Sequence, residues 1–331
     1  MERNTKPLAA VLVAVALVIV FAAGVAVGWM IGDVASRESA AAAPSATPEI
    51  TAEPTAEPEP TAEPEPTEEP VATETPTQAS DLSGLQDTLD AYFDGVVSDW
   101  VVLVQEPESG AEIVSTSKDT LDENTGMVAA SVIKLFIAAC AFDRIESGDL
   151  NENQAKIEIE PMISASDNTA TNNLVTMIGS GDSAAGMKIV NDYITSAGFS
   201  DGTRLNRLMG VTDGSQNYVT AADVAELLRR VYSGELVNEQ RSQELLGYML
   251  AQERRTKIPA GLGAFECTVA NKTGELWSPI VVENDVAIVY SKGTDYILCV
   301  LAENISNDSS AVNMINSISY EVYNYLNGDG E

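Results

Sequence analysis

Ser131 and Lys134 stand three residues apart at the head of an apolar run over 135–142. That run is apolar on every side, as in a helix buried in a core. On a helix, residues i and i+3 share a face with Cβ atoms roughly 5–6 Å apart, so the amine can reach the hydroxyl. A desolvated lysine can then serve as general base for a serine nucleophile. The chain has no histidine, which excludes a Ser-His-Asp triad and any His-assisted cysteine. The motif alone is weak. Ser115-Thr116-Ser117-Lys118 fits the same spacing in a polar turn with no helix behind it, and an ordinary buried helix start would also account for Ser131.

Two further tripeptides change that balance. Ser166-Asp167-Asn168 reads by itself as helix-cap or turn chemistry, and Lys272-Thr273-Gly274 as the end of a strand over 265–271. All three motifs in this order and these contexts are very unlikely by chance. Ser-x-x-Lys, Ser-Asp-Asn and Lys-Thr-Gly are the three site motifs of the penicillin-recognising serine enzymes. From about 82 to 327 the chain resembles class A β-lactamases and their D,D-peptidase relatives. The words at 258–262, and Asn284-Asp285 opening the next strand, match as well.

The resemblance implies a set of roles. Ser131 attacks a carbonyl and becomes acylated. Lys134 takes the serine proton if burial and a nearby cation depress its pKa, Lys272 being the candidate cation. Ser166 relays a proton to the leaving nitrogen, and Asn168 holds Lys134 or the substrate amide. Lys272 and Thr273 bind a substrate carboxylate, and Gly274 lets the strand backbone approach the ligand. The backbone N–H groups of Ser131 and Glu275 form the oxyanion hole. No cofactor is implied. With no histidine and no close cysteine pair, a zinc site is not expected.

One part of the family pattern breaks. Class A β-lactamases carry Glu-x-x-Leu-Asn in a loop after Ser-Asp-Asn, and the glutamate activates the deacylating water. The matching stretch here is Gly202-Thr203-Arg204-Leu205-Asn206, with glycine in the glutamate position. Asp201 is adjacent but shorter and one residue out of register, and an insertion or deletion would move the register. General-base catalysis is worth about 10²–10⁴-fold, so slow deacylation is expected.

The elements that must position these residues follow from periodicity. Leu82, Leu85, Leu89, Phe93 and Val96 mark an amphipathic helix over about 82–95. Residues 100–104 read as a strand, with a hairpin partner over 111–115. From about 151 to 250 the pattern is mostly helical, with a capping-box-like Thr220-Ala-Ala-Asp223. Strands return over 285–290 and 296–301, and Val312, Ile315, Ile318, Val322 and Leu326 mark a last helix. The expected fold is α+β and β-lactamase-like, in two lobes. An antiparallel sheet is flanked by the terminal helices, with an inserted all-α lobe and a cleft between.

The N-terminal quarter has a different character. Residues 8–32 carry no charge and are nearly all apolar, longer than the roughly 20 residues that cross a bilayer. Arg3 and Lys6 precede them and Asp33 follows, which places the tail 1–7 in the cytoplasm and the rest outside. A cleaved signal peptide is the rival reading. Gly24, Gly28 and Gly32 form a small-residue row that would allow weak dimerisation, although such residues are common in membrane helices. Residues 33–79 form a Thr/Ala/Glu/Pro-rich spacer in which Thr-Ala-Glu-Pro recurs at 51–54, 55–58 and 61–64. Its proline-rich part, 44–79, would reach roughly 110 Å if fully extended.

The net charge is −32; with nine glutamates and no bases in 44–79 and a balanced 1–43, the domain over 80–331 carries −23. A surface this acidic argues against nucleic acid or anionic membrane as a partner. Cys140, Cys267 and Cys299 are an odd set in an exported chain, which allows at most one disulfide and reads first as single buried thiols. The functional expectation is a membrane-tethered extracytoplasmic serine hydrolase, acylated at Ser131 by β-lactams and hydrolysing them slowly. A D,D-carboxypeptidase or transpeptidase acting on peptidoglycan stem peptides is the first alternative, and a non-turnover β-lactam-binding module the second.

Overall fold

The computed structural model describes residues 80–328. The expected tail 1–7, membrane span 8–32 with its glycine row, and spacer 33–79 lie outside the described residues. Among the described residues no helix is long and apolar enough to cross a membrane.

The chain opens with α1 (Ser83–Ala91), the hairpin β1 (Asp99–Gln105) and β2 (Glu112–Thr116), and a short β3 (Met127–Val128). A 3₁₀ turn, Ala130–Ile133, leads into α2 (Lys134–Glu146), followed by α3 (Glu152–Ser164), α4 (Asn168–Ile178) and α5 (Ser183–Ser196). A long loop carries β4 (Tyr218–Val219), and α6 (Ala221–Tyr232), α7 (Glu239–Leu250) and the single turn α8 (Ile258–Gly261) complete the helical part. The chain ends with β5 (Thr268–Leu276), β6 (Val282–Tyr290), β7 (Tyr296–Glu303) and α9 (Asp308–Asn327).

The five long strands form one antiparallel sheet in the order β2-β1-β7-β6-β5. Side chains alternate between its faces, as a period of two requires. Tyr296, Leu298, Val300 and Ala302 of β7 pack toward Leu85 and Leu89 of α1 and Ile315, Ile318 and Val322 of α9. Ile297, Cys299 and Leu301 face the other way, into the core shared with α2 and α6. The expected α+β architecture is therefore present: terminal helices on one face, inserted helices on the other.

Helix α2 is the centre of the helical part. Every residue from Leu135 to Phe142 is fully buried, and each large side chain so buried is worth about 1.5–3 kcal/mol. Polar caps fix where the surrounding helices begin. Asn151, Asp167, Asp182, Asn238 and Asn307 each accept a backbone N–H from the first turn of the helix they precede.

Several boundaries differ from the sequence-based expectation. Lys272-Thr273-Gly274 lies within β5 and not at its end, because β5 begins at Thr268 and pairs with β6 through Leu276. Phe265 precedes the strand; its ring stacks on Tyr323 of α9 at 4.1 Å. Helix α1 stops at Ala91, before Gly95 adopts φ +76°. Thr220 caps α6 through Asp223 N–H at 3.0 Å, but Asp223 does not complete a capping box. Its carboxylate instead takes Ser200 Oγ (2.6 Å) and Ser200 N–H (3.0 Å), and it accepts from Thr203 Oγ1. All three cysteines are free thiols, and burial pushes Cys140 up to about 12.

Candidate active site

Ser131 sits in the 3₁₀ turn ahead of α2, not in the α-helix itself. The residue before it, Ala130, holds φ +44°, a left-handed conformation costly for any residue with a Cβ. Side chains from two strands hold the approach to this turn. Val128 N–H donates to Glu303 Oε2 of β7 at 2.6 Å. Asn284 of β6 donates to Val128 O (2.9 Å) and Ala129 O (3.2 Å) while accepting Ala302 N–H at 2.9 Å. Ala129 N–H donates to Asn217 O at 2.8 Å.

Gly274 brings β5 against the same turn. A Cβ added there would stand 2.7 Å from Ala129 O and 3.3 Å from Ser131 N, so only glycine permits this approach. Ser131 and Glu275 consequently line one cleft of about 520 Å³, together with Asn168, Met209 and Trp277. Their two backbone N–H groups are the pair expected at an oxyanion hole.

The second strained residue is Ser166, at φ +60° and 8 % exposed. It links the loop after α3 to α4, whose cap is Asp167. Lys134 is fully buried, and its Nζ donates to Ser166 O (2.7 Å), Asn168 Oδ1 (2.8 Å) and Ser166 Oγ (3.2 Å). Lys272, also fully buried, donates to Ser166 Oγ (2.9 Å) and Thr273 O (3.0 Å). The three motifs therefore meet, and they meet at Ser166. The direct Ser131–Lys134 hydrogen bond expected from the spacing is not made. An ammonium has three donors, and Ser166 and Asn168 take them.

Burial pushes Lys134 down to about 7, with the positive charge of Arg254 as the next cause. Sequence reasoning assigned that cation role to Lys272 and missed Arg254. Lys272 is itself pushed well down by burial and by Lys134 beside it. Thr273 is 1 % exposed and its Oγ1 has no hydrogen-bond partner among the described residues. An unpaired buried hydroxyl next to an amine is suited to a carboxylate ligand. Glu275 is committed elsewhere: burial raises its pKa, but Lys257, 3.2 Å away, and Arg254 outweigh this and hold it below the usual value. The decoy at Ser115–Lys118 is structural, since Ser115 Oγ donates to Asp90 at 2.6 Å and Lys118 pairs with Asp99.

The loop assignment requires correction. Asp201 is exposed, and neither it nor Gly202 lines the cleft. A Cβ on Gly202 would lie 2.5 Å from Thr220 Cγ2, at the start of α6. Asn206 turns its side chain to Gln216 O at 2.8 Å. The loop residues that line the cleft lie further on, over 207–217, and include Arg207 and Met209. The backbone of Met209 is pinned at both ends by one amide: Met209 N–H donates to Asn172 Oδ1 (2.8 Å), and Asn172 Nδ2 donates to Met209 O (3.0 Å). Asn172 lies one turn beyond Asn168 on α4, so both amides share a face of that helix. That spacing was the available signal, and the Leu205-Asn206 match obscured it.

A sheet between terminal helices and a helical lobe, with Ser131 and a buried Lys-Ser-Lys cluster at a cleft, defines the architecture of class A β-lactamase-like serine hydrolases. The family model described as the β-lactamase enzyme family matches residues 155–326, and the chain belongs to that family. The matched stretch includes the Ser166 and Lys272 motifs, and Ser131 lies ahead of it. Solved structures of similar fold include PBP-A, at 24% identity over 76% of this chain and 98% of that one (TM-score 0.63). The β-lactamase from Sphaerobacter thermophilus matches at 20% identity over 76% of this chain and 100% of that one (TM-score 0.62). A variant of the reconstructed class A β-lactamase of the last common ancestor of Gram-negative bacteria matches at 19% over 73% and 98% (TM-score 0.62). At these identities the likeness carries the fold. No curated protein matches the chain.

Proposed function

We propose that this protein is a membrane-tethered, extracytoplasmic serine hydrolase that β-lactams acylate at Ser131 and that releases the acyl group slowly. The carrying observation is the meeting of two buried amines at Ser166 Oγ, with Lys134 near neutral pKa. A substrate carboxylate settles beside Lys272 and Thr273 and favours the charged form of that amine. The scissile carbonyl enters between the backbone N–H groups of Ser131 and Glu275. Ser131 Oγ attacks, its proton passes to neutral Lys134, and the tetrahedral oxyanion is held by those N–H groups. Collapse breaks the C–N bond. The leaving nitrogen receives a proton through Ser166, and an ester remains on Ser131.

Hydrolysis of that ester needs a base for water. Among the described residues the only carboxylate lining the cleft is Glu275, which is paired with two cations, and the loop over 207–217 adds none. The same observation favours a second reading, a D,D-carboxypeptidase or transpeptidase acting on D-Ala-D-Ala ends. A PBP-A variant of similar fold has been solved as an acyl-enzyme with penicillin G. The apolar run 8–32 supports the tether, and the 33–79 spacer supports a working position away from the membrane.

Labelling by a fluorescent penicillin tests the reading. Fast labelling followed by release over minutes to hours supports it, and fast release indicates an efficient β-lactamase. Release of D-Ala from a stem pentapeptide by a persistently labelled enzyme supports the peptidase. Labelling that survives Ser131→Ala, or none at all, overturns the mechanism.

A further inference from the structure

We propose that Lys257 is a positioning residue for the oxyanion hole, holding both halves of it from behind, a proposal that rests on the acyl-enzyme reading above. Lys257 does not line the cleft at Ser131 and is 1 % exposed. Three oxygens from two strands surround its ammonium. It donates to Asn284 O at 2.9 Å and lies 2.6 Å from Glu283 Oε2 and 3.2 Å from Glu275 Oε1. Two of these partners support the hole. Glu275 supplies one of its two backbone N–H groups. Asn284 supports the other, because its side chain holds Val128 O and Ala129 O just ahead of Ser131. One buried charge therefore ties the end of β5 and the Ser131 turn to a common point.

The register of the sheet explains why a cation is needed there. β5 is an edge strand, and among the described residues it pairs only with β6. Near its end Glu275 stands directly opposite Glu283. Like charges opposed across two strands repel, and burial raises the cost of leaving them uncompensated. Lys257, placed between the two carboxylates, removes the repulsion and draws the end of β5 onto β6. The turn that delivers Lys257, between α7 and α8, is itself fixed to β6. The buried Asp285 accepts Ile258 N–H at 2.9 Å and Asn271 Nδ2 at 2.9 Å. Stability alone does not account for such a cluster, since apolar groups in place of a buried ion pair are often no less stable. An apolar side chain cannot, however, grip Asn284 O and Glu275 together. Arg254 also pairs with Glu275, but it is more exposed and makes no bond to Asn284 among the described residues.

The test compares the full chain with Lys257→Met. Stopped flow over a range of penicillin G concentrations separates the noncovalent dissociation constant from the limiting acylation rate. The rate is expected to fall by about 10²–10³-fold, the range for loss of one oxyanion-hole donor. The dissociation constant is expected to change by less than about threefold, as for an interaction made only in the transition state. Infrared difference spectra of the accumulated acyl-enzyme, formed from penicillin isotopically labelled at the lactam carbonyl, read the hole itself. The ester carbonyl band is expected at higher frequency in Lys257→Met, because weaker hydrogen bonds polarise it less. Lys257→Met leaves Glu283 buried without a partner, so the double variant Lys257→Met with Glu283→Leu is measured beside it. In that variant Glu275 keeps Arg254 and no buried charge is stranded, so it is expected to melt near the unsubstituted chain and to show the same loss of rate and the same band shift. An unchanged rate with an unshifted band, or equal losses of affinity and rate, overturns the proposal. A double variant that fails to fold assigns Lys257 to stability and overturns it as well. An unsubstituted chain that forms no ester defeats the acyl-enzyme reading and the proposal with it, whereas an ester indifferent to Lys257 defeats the proposal alone.

Discussion

Lys134 and Lys272 both donate to one hydroxyl, Ser166 Oγ, at 3.2 and 2.9 Å. Two amines so close in a buried site disfavour each other's charge, and burial disfavours both. The serine between them connects the amine that accepts the nucleophile's proton to the one that faces the substrate carboxylate. Strain at Ser166 and Ala130 is the conformational cost of this arrangement.

Acylation should depend on pH through Lys134. Its amine acts as base only when neutral, and its pKa is about 7. The second-order rate of penicillin acylation, followed by stopped flow, should therefore rise with pH through about 7 and level off above it. Lys134→Arg keeps a charge that cannot be given up and should lower the rate by about 10²–10⁴-fold at every pH. A pH-independent rate in the wild type would contradict this role.

The same shift affects stability. The folded-state pKa of Lys134, about 7, lies below the ordinary 10.5, so the unfolded chain binds more protons between these values. Stability from this group therefore rises with pH across that window, and the penalty is complete below pH 7. The difference in Tm between Lys134→Met and wild type should shift toward the wild type as pH is raised from 7 to 10. A difference constant with pH would contradict the shift.

Met209 is one of the loop residues that line the cleft holding Ser131. Met209→Glu should speed release of the penicilloyl group by at least about tenfold, within the range for an added general base, while acylation changes little. Gly202→Glu should not speed release. Its Cβ would meet Thr220 at 2.5 Å, and its main effect should be a lower Tm. Faster release from the Gly202 variant alone would restore the register read from the sequence.

Glu303 does not line the cleft, yet it anchors the strand that leads to Ser131 through Val128 N–H. Glu303→Ala should lower the acylation rate about tenfold while leaving the noncovalent affinity for penicillin nearly unchanged, and Glu303→Gln should restore most of the rate. Truncation leaves a buried donor unpaired at a cost of about 1–3 kcal/mol, which the glutamine amide oxygen avoids. If glutamine fails to rescue, the residue is not positioning the turn through this bond.

The three motifs were legible because each is contiguous and each falls on an element that periodicity could locate. The apolar run of α2 and the strand read over 265–271 were enough to place Ser131 and Lys272 on separate elements. The deacylation loop was not legible. Its register is set by the long-range bond of Asn172 to Met209, whereas Leu205-Asn206 is a local match of common residues. The β5 boundary was missed because Phe265 looks like a strand residue but is apolar for the sake of α9. The Arg254 contribution to Lys134 depends on a fold-back between α7 and β5 that no spacing in the sequence reveals.

Time-resolved intact-mass spectrometry with penicillin G tests the central claim most directly, with proteolytic mapping of the adduct. The predicted result is one stoichiometric penicilloyl ester on Ser131, formed within seconds and lost over minutes to hours, and absent in Ser131→Ala. No adduct, an adduct on another residue, or rapid multiple turnover with no accumulated ester would contradict it.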